Sequence, residues 1–111
     1  MQDRRARSLR AACALELSKL PRAWQPLLGH VDAVATTLAF EVQASVGALG
    51  GASLTPEERR QREAQIIGAI AELEALHGAA ASAVMRDPIR GREKLERLVE
   101  ARAGLPVAGV S

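Results

Sequence analysis

A chain of 111 residues holds one modest core, and with one Phe, one Trp and no Tyr that core must come from Leu, Val, Ile and Ala, which favours close helix–helix contact over a sandwich or barrel. A lone cysteine, Cys13, excludes an internal disulfide scaffold and makes a reducing compartment, the cytoplasm, the expected location. The formal net charge of +2 is small for a nucleic-acid binder, and the wealth of Ala, Arg and Gly fits a GC-rich bacterial or phage genome.

The first expected element is a basic amphipathic helix within residues 1–20, with Ala6, Leu9, Cys13, Leu17 and Leu20 on one stripe and Pro21 as its stop. Up to residue 22, six basic residues (Arg4, Arg5, Arg7, Arg10, Lys19 and Arg22) stand against Asp3 and Glu16, a surplus of four. That surplus is either a solvated helix face or a phosphate-contacting one. Residues 21–29, PRAWQPLLG, read as an ordered connector because they hold two prolines and a glycine. Trp24 within them either closes the end of the core or anchors a partner, since tryptophan serves both roles.

A second helix is expected over residues 31–49, with Val31, Val34, Leu38, Val42 and Leu49 as its main apolar stripe. At 100° per residue Phe40 points about 180° away from Val31, with Ala33, Ala44 and Gly47 beside it. A helix with two apolar or small faces is buried on both sides, either inside the monomer or at an oligomer or partner interface. Residues 23–52 contain no Lys or Arg, only Asp32 and Glu41. Gly47, Gly50 and Gly51 are expected to break this helix through positive φ angles.

The strongest signal is a long helix over residues 56–86. Thr55 is a good N-cap, Pro56 suits the first helical position, and Glu58 completes a capping box. Ile66, Ile70, Leu73, His77, Ala80 and Val84 recur at three- and four-residue steps and mark its core stripe. At 1.5 Å per residue it outruns its neighbour by about 15 Å. Arg59 and Arg62 share the side of the Ile66 row, which puts the surplus at its first turns, with Gly68 and Gly78 as alternative bend points. Asp87 and Pro88 open a short last helix over residues 88–103, with a thin stripe of Leu95, Leu98 and Val99 and i,i+4 pairs Arg92–Glu96 and Glu93–Arg97. Residues 104–111 read as a flexible tail. Together these elements predict one domain over residues 1–111, an all-α small bundle of three to four helices built on a long antiparallel helical hairpin.

Candidates for chemistry are few. Glu74 and His77 have the Glu-x-x-His spacing of di-iron bundles, but only one such pair exists where that chemistry needs two and further carboxylates. Cys13 and His30 supply a nucleophile and a base with no third group to orient them. The glycines at 47, 50 and 51 do not have the spacing of a phosphate loop. No catalytic residue, cofactor or metal is therefore expected. Nor is a membrane span, because the apolar run from Val31 to Leu49 carries Asp32, Glu41 and Gln43, and LRAACAL is too short for the core of a secretory signal.

The functional expectation is a non-enzymatic helical protein–protein interaction module: an adaptor, export chaperone, assembly subunit or inhibitor of a larger machine, working on another protein or as a homo-oligomer. Its candidate interface residues are Trp24, Ala33, Phe40, Ala44 and Gly47. The alternative is a nucleic-acid-binding packaging or regulatory subunit that uses Arg4, Arg5, Arg7 and Arg10 with Arg59 and Arg62. The nearby acids Glu57, Glu58 and Glu63 and the lack of stacking aromatics weigh against it. A helix-turn-helix is excluded because PRAWQPLLG is too long and proline-rich for its turn.

Overall fold

A computed structural model describes residues 2–51 and 53–103. Those residues form four α-helices, α1 (Gln2–Leu17), α2 (Leu27–Gly51), α3 (Pro56–Met85) and α4 (Pro88–Ala103), with one 3-10 turn at Arg22–Trp24. The fold is an all-α small bundle. The tail expected over residues 104–111 lies outside the described residues.

The bundle is organised around α3, whose start is set by local chemistry. The Thr55 hydroxyl accepts the Glu58 N–H at 3.1 Å while the Glu58 carboxylate accepts the Thr55 N–H at 2.9 Å, which satisfies two donors that the first turn otherwise leaves orphaned. The helix runs unbroken through Gly68 and Gly78, so neither glycine bends it. Its 30 residues span about 45 Å, close to the 48 Å longest extent of the molecule.

Helix α2 differs from its expected bounds at both ends. The connector ends earlier: α2 begins at Leu27, the Pro26 carbonyl takes the first helical bond from His30 at 3.0 Å, and the Gln25 side chain accepts the Gly29 N–H at 3.3 Å. Gly29 is thus inside the helix rather than ahead of it. At the other end α2 passes through Gly47 and Gly50 to Gly51, and none of the three has a left-handed φ. Glycine costs a helix interior about 1 kcal/mol relative to alanine but does not forbid it, and half-buried Leu49 packs on the core and holds the last turn. Helix α1 in turn stops at Leu17, short of residue 20. Lys19 and Leu20 bond back three residues to Glu16 and Leu17, the tightened turn that a following proline favours.

The inner sides of α2 and α3 meet through Val31, Leu38, Val42, Ile66, Ile70 and Leu73. Helices α1 and α4 flank this hairpin on opposite sides. From α1, Arg5 pairs with Glu74 and Arg10 donates to Thr36 at 2.9 Å; from α4, Arg102 pairs with Glu41 and lies 3.9 Å from Glu72. Glu72 and Glu74 are about 200° apart on α3, so the two partners lie on different flanks. Helix α4 packs mainly on α3 and much less on α2. This explains a second buried row on α3 (Ala69, Leu76, Ala79 and Ala83) that leaves His77 and Val84, expected in the core stripe, only half-buried. At Gly91 α4 comes so close that an added Cβ would stand 2.5 Å from the Ala83 side chain and 2.6 Å from its Cα.

The expected surplus of about 15 Å over α2 shrinks to about 7.5 Å, because α2 has 25 residues against the 30 of α3; the first buried residue of α3 is Ile66, ten positions past Pro56. Because α2 is itself 25 residues long, the two helices extend together as an arm beyond α1 and α4. Its inner surfaces are Val42, Ser45 and Ile66, with the Ser45 hydroxyl bonded to the Gln65 side chain at 3.2 Å.

Candidate interaction face on the second helix

The outer side of α2 carries no part of the core. Ala33, Thr37, Phe40, Ala44 and Gly47 are all exposed, and Phe40 keeps 64% of its surface in solvent. They recur at steps of four, three, four and three, so they form one line down the helix. Four of the five were legible in the sequence; Thr37 was not, because a threonine carries no apolar signal. In the most apolar 18-residue stretches of the two central helices, each of mean hydropathy 1.2, the fold buries 44% of the residues in α3 and 22% in α2. By length and composition alone either helix could cross a membrane. Core helices pass the same test, but α2 leaves far more of its apolar stretch uncovered.

Trp24 stands apart from this line. It is half-buried against the core, and the Arg92 guanidinium lies 5.3 Å from its ring centre, a cation–π contact. That placement favours the core-closing role over the anchoring one.

The arginines proposed for nucleic acid do not share a face. Arg4, Arg5, Arg7 and Arg10 are all exposed, with Arg5 paired with Glu74 and Arg10 with Thr36. Arg59 is exposed and Arg62 half-buried on the arm, and along α3 Arg59 lies fifteen residues, about 22 Å, from the Glu74 that holds Arg5. The two clusters therefore belong to separate regions.

Catalytic candidates are likewise dispersed. Cys13 has no exposed surface, and burial, with the nearby carboxylates of Asp32 and Glu16 adding to it, pushes its thiol up to about 11. At neutral pH such a thiol is protonated and a poor nucleophile. His30 is exposed, and Glu74 is engaged by Arg5. Among the described residues no group of three or more His, Cys, Asp or Glu is placed to hold a metal ion. Among the described residues a concavity of about 500 Å³ lies on the flank of the arm beside the last turn of α4. Leu38, Ala44, Gly68 and Ala69 line it together with Arg62, Arg102, Glu41 and Glu72. Arg102 is already shared by the two acids.

No protein-family model, no curated protein and no solved structure matches this chain.

Proposed function

We propose that this chain is a non-enzymatic helical interaction module, in which the outer face of α2 seats a helix of another protein or of a second copy, as an adaptor, export chaperone, assembly subunit or inhibitor does. The observation that carries the reading is Phe40, exposed in the middle of a line of alanine, threonine and glycine. Covering such a ring contributes about 1.5–3 kcal/mol, and the small residues on either side let a second helix approach closely. The uncovered apolar stretch of α2 supports the same reading. A lipid surface is the weaker occupant: interfacial helices present several large apolar side chains, whereas this face has one, Phe40. Nucleic acid loses ground because the two arginine clusters lie in separate regions of the fold. The same reading keeps the protein in the cytoplasm, with Cys13 a buried thiol.

The test is cross-linking at position 40. A photoreactive phenylalanine analogue there gives a discrete protein adduct in the expressing cell, and the same group at exposed Gln61 gives none. Equal labelling at the two positions, or no adduct from position 40, contradicts the reading.

A further inference from the structure

We infer that residues 104–111 run on from α4 into the concavity on the flank of the arm and occupy it as an extended strap, so that this groove is filled by the chain's own segment. The inference goes beyond the reading of the Phe40 face and does not depend on it.

The direction of α4 carries it. Gly91 lies against Ala83, and eleven residues later Arg102 reaches Glu72, eleven residues earlier in α3. Helix α4 therefore runs antiparallel to α3, and its last turn, clamped to Glu41 and Glu72, points along the arm. The groove opens there: Ala44, Gln65 and Gly68 are exposed along it, with Leu38 and Ala69 buried beneath. From Glu72 to Arg62 it follows α3 for ten residues, about 15 Å. Extended chain advances about 3.3 Å per residue, so residues 104–108 cover that length.

The segment suits this seat. Its sequence, GLPVAGVS, carries no charge, and seven of its eight residues are apolar, glycine or proline. Gly104 and Pro106 stop a helix, and the proline biases Leu105 towards extended backbone, in which Leu105 and Val107 fall on one side. The groove offers that side small residues, Ala44, Gly68 and Ala69, and a Cβ added at Gly68 would meet nothing within 4 Å. An extended segment also brings backbone carbonyls that need donors, and Arg62 and Gln65 bring side-chain N–H groups to the groove. Its charged residues are two arginines and two glutamates, a balance that draws in no charged segment. The tether then decides between occupants. A segment joined to residue 103 is held at an effective concentration in the millimolar range, against which any separate chain must compete. Ala44 belongs to the Phe40 line as well, so the seated strap borders the docking face on its α4 side.

Nuclear magnetic resonance on the full chain tests this, with a nitroxide attached at Ala108→Cys; Cys13 has no exposed surface and stays unlabelled. The amide signals of Gln65 and Gly68 broaden, while those of Ile89 and Arg90 at the other end of α4 stay sharp. Gly68→Leu fills the groove without breaking α3, because leucine is the better helix former and the position is open. It cuts the broadening at Gln65 several-fold, to the level given by Leu105→Asp with Val107→Asp in the same labelled chain, and circular dichroism shows helicity kept in both. Broadening no stronger at Gln65 than at Ile89, or unchanged by Gly68→Leu, overturns the proposal. An equal mixture of nitroxide-bearing chain and isotope-labelled chain without nitroxide identifies the source. Broadening at Gln65 in that mixture as strong as within one chain assigns the groove to a second copy and overturns the proposal too. None of these signals reads Phe40, so the cross-linking test at position 40 can fail while the strap stands, and the reverse.

Discussion

The two sides of α2 follow different rules. On the inner side Val31, Leu38 and Val42 have no exposed surface and close against α3 and its flanking helices. On the outer side the same helix offers Ala33, Thr37, Phe40, Ala44 and Gly47 to solvent. The outer faces of α1, α3 and α4 expose single large apolar residues too, Leu15, Ile67 and Ile89, but set them among Arg, Lys and Glu, whereas the line on α2 carries no charge. The difference marks two roles among the described residues: the inner side accounts for stability, and the outer side is covered by none of them.

Substitutions on the two sides should therefore separate stability from assembly. The largest effect is expected inside: Leu38→Ala removes a fully buried side chain between α2 and its neighbours and should cost about 2–5 kcal/mol by denaturant unfolding. Gly91→Ala comes next. Its new Cβ meets the Ala83 backbone, so α4 must move off α3, and overpacking of this kind costs about 1–3 kcal/mol. An outcome within error of wild type would mean that α4 is not seated as described.

A smaller effect appears only at high pH. The folded state holds the Cys13 thiol up to about 11, above the about 8.5 of an unfolded cysteine. Below the unfolded value the thiol is neutral in both states and its contribution is intact. As pH rises towards the folded value the unfolded chain ionises first, and stability falls. Cys13→Ala should lower stability overall yet flatten that decline, which unfolding midpoints measured across the alkaline range would reveal. The smallest stability change belongs to the outer face: Phe40→Asp should move unfolding by no more than about 0.5 kcal/mol while abolishing association. A loss as large as that of Leu38→Ala would make Phe40 a core residue and erase the contrast between the two sides.

Much of the fold was legible from periodicity and caps. The Thr55 and Glu58 capping box forms, and the three- and four-residue spacing of Ile66, Ile70, Leu73 and Ala80 names residues that are buried. Glycine is the weakest guide: Gly29 and Gly47 read as breaks in the sequence, but packing of Leu28 and Leu49 carries the helix past them. The second buried row of α3 was missed because alanines at 69, 79 and 83 give little hydropathic signal and the contact with α4 depends on the missing side chain of Gly91. The clamp of Arg102 on Glu41 and Glu72 joins residues distant in sequence, which no local pattern encodes. At the candidate face, Phe40, Ala33, Ala44 and Gly47 were visible as a second stripe, but only the three-dimensional packing separates a face covered inside the monomer from one left open. Trp24 shows the opposite outcome, an anchor by residue type that Arg92 and the core have occupied.

The most direct test is the solution mass of wild type and Phe40→Asp by light scattering over a range of concentrations, with circular dichroism on the same samples. The account predicts that wild type rises above 11.8 kDa, alone as concentration increases or once the protein cross-linked at position 40 is added, and that the variant holds the monomer mass in both cases with an unchanged helical signal. Wild type fixed at the monomer mass at the highest concentration reached, with and without that protein, and a variant indistinguishable from it, would contradict the account.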